Sequence, residues 1–212
     1  MIGLLKKDLY SALNYRFTLL ILGGIGLVNT IFSKDGGNIL CSLISMAFMM
    51  SSLTPFSYDE SAQWDKYAVT LPVIRKQIVA SRYLYLLLSA CAGLIVSVAI
   101  RLFFYFTTPT INLIFSIAVS TAVILFFLIS YCLSFPLIYK LGIEKARFFT
   151  IITYMIPLAA VIGLLAAVDN IQALLFAPGT LLLLLLAGVA FTAVCFIVSY
   201  SISVAIYSKK EF

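Results

Sequence analysis

Residues 58–83 read YDESAQWDKYAVTLPVIRKQIVASRY. This stretch holds three of the eight acids, four of the fourteen lysines and arginines, and the single tryptophan of a 212-residue chain. Mixed charges beside aromatic rings are suited to recognising another surface in water. They are poorly suited to bond-making chemistry here, because the chain contains no histidine. Serine–histidine activation and histidine metal ligation are therefore excluded. No acid lies in the middle of an apolar run, so a paired-carboxylate site is not expected either. No GxxxxGK[ST] phosphate loop occurs, so ATP hydrolysis is not expected of this chain. Cys41, Cys91, Cys132 and Cys195 all fall in apolar runs without a CxxC pair. They read as small core residues, and no metal site is expected.

The elements that must position the charged stretch are almost entirely hydrocarbon. The chain is 63% hydrophobic and 10% charged, where a soluble domain carries about 25% charged residues. It has too little polar surface to cover a water-soluble globule. The sequence predicts an all-α integral membrane protein of one domain, with six spans over about 17–32, 38–56, 83–106, 111–139, 148–168 and 180–207. Gly23, Gly24 and Gly26 are expected to loosen the short first span, and Pro136 and Pro157 to kink the fourth and fifth.

Orientation follows from the basic residues. With both termini in the cytoplasm, Lys6, Lys7, Arg16, Lys66, Arg75, Lys76, Arg82, Lys140, Lys145, Arg147, Lys209 and Lys210 are all inside, and only Lys34 and Arg101 are outside. The net charge of +6 then reports topology and not a nucleic-acid partner. Ile2, Leu5, Leu9 and Leu13 recur at helical spacing around Lys6, Lys7 and Asp8, predicting an amphipathic helix in the membrane interface that meets lipid head groups. No cleavage pattern follows the first apolar run, so a removable signal is not expected.

Within the charged stretch, Ser57 and Glu60 have capping-box spacing. Trp64, Tyr67, Ala68 and Leu71 follow on one helical face, and Pro72 is expected to stop that helix. A second segment with Ile74 and Ile78 beside Arg75, Lys76 and Arg82 leads into the third span. Two uses fit the first helix: docking a cytoplasmic partner, or anchoring at the interface through Trp64 and Tyr67. Arg101 lies nineteen residues past Arg82, about 28 Å along a helix. It is expected either to snorkel to the outer head groups or to face a translocation path. Asn29, Thr30, Ser45, Thr153 and Tyr154 are hydroxyl and amide groups of the kind that join membrane helices. A path lined by such groups with Phe and Leu suits amphipathic cargo better than an ion or a sugar; Arg101, Asn29 and Tyr154 are the candidate path residues.

LLKKDLY at 4–10 and TPFSYDESAQWDKYAVTLPVIRKQIVASRYL at 54–84 resemble type-2 ABC transporter permeases, in particular a short bacterial branch that includes exporters of phenol-soluble modulins. The resemblance covers the whole chain in layout. It implies a bacterial plasma-membrane permease with an interfacial N-terminal helix and a cytoplasmic coupling helix between spans two and three. It implies two copies of a separate ATPase that binds ATP and magnesium, with no cofactor in this chain, and a second permease copy or a paralogue. Asp59, Glu60, Trp64, Asp65, Lys66, Tyr67 and Leu71 would form the ATPase-docking helix. Lys140, Glu144, Lys145 and Arg147 would form a second cytoplasmic contact, or simply obey positive-inside topology. Export of amphipathic, cytolytic or antimicrobial peptides is the expected activity. A vitamin-importer membrane subunit of similar size would lack the long amphipathic loop, and a secondary transporter would carry embedded carboxylates or broken helices.

Overall fold

The computed structural model describes residues 2–13, 16–33, 38–68, 74–107, 113–167 and 178–209, and these are helical with short turns. We label the helices α1 (Ile2–Leu13), α2 (Arg16–Ser33), α3 (Asn38–Met50), α4 (Thr54–Ser61), α5 (Trp64–Ala68), α6 (Arg75–Thr107), α7 (Leu113–Leu141), α8 (Ile143–Ala167) and α9 (Pro178–Lys209). Four stretches among the described residues are long and apolar enough to cross a membrane: Ile39–Ser61, Arg75–Phe106, Ser116–Leu141 and Leu182–Lys209. Phe17–Thr30 is a shorter apolar helix.

α7 is the central column, packed by α3, α6, α8 and α9. The Ile39–Ser61 stretch and α7 are the most buried of the four, and α9 is the least, at 11%. Leu183, Leu186, Val194 and Ile197 of α9 stay exposed, an arrangement that only a hydrocarbon surrounding makes favourable. The core runs through Tyr83, Tyr131, Phe135 and Tyr139, with Phe135 edge-on to both Phe56 and Tyr83 at 5.0 and 5.2 Å. Hydroxyls join the helices across this core. Tyr83 bonds Ser199 and Ser203 at 2.6 and 2.8 Å, and Ser134 bonds Thr153 at 2.6 Å. Such bonds satisfy groups that lipid cannot.

Several local expectations are corrected. α2 is continuous through its glycines, and Gly26 is a packing position: an added Cβ would lie 2.6 Å from Leu40 Cδ1 and 3.0 Å from Leu40 Cα. Glycine there lets α2 approach α3 closely. Pro136 lies inside α7 and Pro157 inside α8, as the apolar runs place them. Cys91 is exposed, unlike buried Cys41 and Cys132, and all four cysteines are free.

The helix that carries the second apolar run does not stop near Phe56. It continues through a 3₁₀ turn at Ser51–Leu53 into α4. Pro55 explains the turn. It has no N–H to give to the Ser51 carbonyl, and the Thr54 N–H takes that carbonyl instead. Because the helix already begins at Thr54, Ser57 sits inside it, exposed, and caps nothing. The break after α4 falls at Ala62 and Gln63, the latter at φ 48°. The expected stop at Leu71–Pro72 lies outside the described residues. The basic segment from Arg75 is the first part of α6 itself.

Candidate functional site

The charged residues gather at one end of the bundle, where α1, α4, α5 and the first turns of α6 meet. α4 buries Pro55 and Phe56 against the core, and the Phe56 ring lies under the Arg82 guanidinium at 5.0 Å. This packing turns the next polar residues, Asp59 and Glu60, toward neighbouring helices.

Asp59 accepts hydrogen bonds from Lys7 Nζ at 2.6 and 2.9 Å and from Arg82 Nη2. Arg82 Nη1 also makes an ion pair with Asp8 Oδ1 at 2.8 Å, whose angle does not make a hydrogen bond. Two cations and two carboxylates thus alternate across α1, α4 and α6. Asp8 is 1% exposed and Arg82 4%. Burial pushes the Asp8 carboxyl up to about 6, while Arg82 and Lys7 pull it back down. Burial, then the charge on Arg82, lowers the Lys7 ammonium, and the Asp59 hydrogen bond opposes this. Lys7 also stands 4.0 Å from the Trp64 ring centroid, and Trp64 leans on Tyr67 at 5.5 Å. The cation–π contact ties α5 to α1.

Glu60 reaches a different helix. Its Oε2 accepts the Ile143 N–H at 2.5 Å, one of the four donors that the start of α8 leaves without a helical partner. Gly142 makes the approach possible. It stands at φ +80°, where its N–H bonds the Ile138 carbonyl at 2.9 Å and closes α7, while its carbonyl takes the Ala146 N–H at 3.0 Å and opens α8. A Cβ on Gly142 would lie 2.9 Å from Glu60 Oε1.

The expected docking residues therefore divide. Asp59 and Trp64 are engaged within the chain, and Glu60 is exposed in part yet bonded to α8. Tyr67 is exposed, together with Tyr58, Ser61 and Gln63. Asp65 and Lys66 lie on α5 with side chains outside the described residues, as is the whole of Leu71. Lys140, Glu144 and Lys145 are exposed around the α7–α8 corner, beside Glu60. The Arg147 side chain lies outside the described residues.

The three expected path residues do not come together. Asn29 is exposed on α2, and Tyr154 packs on α8 against Phe127 and Tyr131 at 5.9 and 6.1 Å. Arg101 does not snorkel. It is 2% exposed and donates from Nε and Nη2 to Ser120 Oγ at 3.2 and 2.9 Å. The large concave feature is elsewhere: an apolar groove of about 1150 Å³ lies between α7, α8 and α9, with Pro136 and Pro157 on its walls. None of Asn29, Arg101 or Tyr154 borders it.

Sequence reasoning missed Asp8, Arg82 and Gly142 as parts of one site. Asp8 is the lone acid of an amphipathic helix, and Arg82 is the only charge between Ala80 and Ile100. Isolated opposite charges of this kind are the signal that a pair exists. The two motifs around LLKKDLY and YDES prove to be in contact through Lys7, Asp8 and Asp59.

A family model described as "ABC-2 family transporter protein" matches residues 3–208. No curated protein and no solved structure matches the chain.

Proposed function

The chain belongs to the ABC-2 family of transporter proteins, a multi-pass membrane component of ABC transporters, and we propose that it is the permease of an ATP-driven exporter of amphipathic peptides. The six apolar runs, including the short α2 and the α8 helix, each cross the bilayer. The charged end is cytoplasmic, in keeping with the excess of lysine and arginine there. Two permeases, alike or paired with a paralogue, would work with two ATPase subunits that carry the ATP and magnesium. The setting is a bacterial plasma membrane.

One observation carries the ATPase-docking part of this reading. Asp59 and Glu60 fasten α4 to α1, α6 and α8, while Tyr58, Ser61, Gln63 and Tyr67 face outward. A segment held by several helices and presenting a polar, aromatic surface to water is built to receive a rigid partner. Lys140, Glu144 and Lys145 extend that surface beyond Glu60. The apolar walls of the groove, with Phe and Leu among them, favour a cargo that presents an apolar face.

The test is replacement of Tyr58 and Tyr67 by alanine. Both are exposed, so the fold should survive. Capture of the partner ATPase should fall about tenfold or more, as truncation of an aromatic anchor typically costs. Unchanged capture and unchanged ATPase stimulation would sink the docking reading. In vesicles containing both subunits, amphipathic helical peptides should stimulate hydrolysis and be transported. Stimulation by a lipid or small drug alone would overturn the cargo assignment.

A further inference from the structure

Two helix ends at the charged end of the bundle are met by side chains that flank the proposed docking surface. At the start of α8 the orphan N–H groups present partial positive charge, and there Glu60 accepts from Ile143. At the end of α9 the orphan carbonyls present partial negative charge. There Arg75 Nη1 donates to the Ser208 carbonyl at 2.8 Å and points at that of Tyr207 at 3.5 Å. Each side chain has the sign that its helix end attracts. One stands at the close of α4 and the other opens α6, so they bracket the segment that carries Tyr67.

These two helices have something else in common. α8 and α9 each pack along α7 and not along each other, and the apolar groove is the space left between them. Thr153, Ile156 and Pro157 line it from α8, and Leu184, Cys195 and Ser199 from α9. Pro157 interrupts the hydrogen-bond ladder of one wall. The lateral spacing of the walls is thus set by α7 along their length, by α6 through Tyr83 on Ser199 and Ser203 of α9, and by Glu60 and Arg75 at their ends. Asp59, the residue before Glu60, is tied to Arg82 and Lys7 and fixes the close of α4 to α6 and α1.

We propose that Glu60 and Arg75 are positioning residues that tether the two walls of the groove to the docking segment. A displacement of that segment by the ATPase is delivered to α8 through Glu60 and to α9 through Arg75, and alters the groove between them. This rests on the docking reading above, and it adds which side chains carry the movement and which helices receive it.

The experiment uses Cys195 as a reporter in a full-length chain carrying C41A, C91A and C132A, assembled with its ATPase in lipid nanodiscs. The rate of maleimide labelling at Cys195 is measured with and without a non-hydrolysable ATP analogue, and is normalised to the amount of captured complex. The parent chain should change its rate about threefold or more on nucleotide binding, because a ligand shifts a two-state equilibrium by its differential affinity. R75A should capture the ATPase as the parent does and lose the response. E60A should lose it too. E60Q, which keeps an acceptor oxygen for the Ile143 N–H, and R75K, which keeps a cation, should each restore part of it. Helical content by circular dichroism checks that each variant is folded. If E60A folds poorly, the comparison of E60Q with R75A still decides, since a purely structural role predicts a full response in both. A full response in folded R75A and E60Q would overturn the tether. So would a parent chain that binds the ATPase but never changes at Cys195. Failure of the parent chain to bind the ATPase would overturn the docking reading, and the tether with it.

Discussion

Arg82 and Arg101 are two buried arginines on one helix, and their surroundings differ in kind. Arg82 stands between Asp8 and Asp59, over the Phe56 ring, at the end of α6 that meets α1 and α4. Arg101 stands toward the other end of α6 and is met by the Ser120 hydroxyl. Asp8 and Asp59 both pair with Arg82. A guanidinium between carboxylates is locked by charge, and removing it leaves buried Asp8 with Lys7 at 3.8 Å as its described cation. The described hydrogen bonds of Arg101 go to a neutral hydroxyl, and a bond to a neutral acceptor is worth less than one to a carboxylate. The first arrangement joins three helices into one rigid base, and the second stitches α6 to α7.

The largest expected effect separates the two. Arg82→Ala takes the nearer cation from buried Asp8, leaving Lys7 at 3.8 Å, and should destabilise the protein by about 3–5 kcal/mol. Arg101→Ala should cost less, about 1–3 kcal/mol. Thermal midpoints in one detergent check the order; a greater loss for Arg101→Ala would break the comparison.

The next effect is in pH. The Asp8 carboxyl rises from 3.8 to about 6 on folding, so the folded state favours its protonated form. Its contribution to stability is full below pH 3.8 and is lost as pH rises through about 6. Over that window the loss approaches about 3 kcal/mol at 1.36 kcal/mol per pH unit. Denaturation midpoints from pH 4 to 7 should show this fall in the parent chain and a shallower one in Asp8→Asn. Equal slopes would mean that Arg82 neutralises Asp8 fully. The smallest effect tests the other arginine. Ser120→Ala should cost about 1 kcal/mol, the worth of an ordinary hydrogen bond, and should leave the pH dependence untouched. A change in that dependence would show the two ends of α6 to be coupled.

Much of the helical layout was legible because membrane helices obey local rules. Runs of apolar residues long enough for a bilayer mark α6, α7 and α9, and basic residues mark one end of the bundle. The misreadings occur where a local pattern had a distant answer. Ser57 and Glu60 have the spacing of a capping box, yet Glu60 serves a helix 83 residues away. The N-terminal amphipathic pattern places Asp8 among polar residues, yet the side chain is buried against Arg82. Snorkelling is the ordinary fate of an arginine near a bilayer surface, but Ser120 offers Arg101 an inward partner.

By itself the sequence determined the membrane-spanning class, the clustering of charge between the second and third apolar runs, and the absence of histidine and of a phosphate-loop motif. Each follows from residue type and spacing along the chain. Only the tertiary structure decided the pairing: Lys7 with Asp59 across 52 residues, Glu60 with the start of α8, Arg75 with the end of α9. Periodicity says which face of a helix a residue occupies, and it carries no information about which helix will lie against that face. A buried charge has few acceptable partners, so the packing that brings α1, α4, α6, α8 and α9 together is what turns a polar stretch into a site.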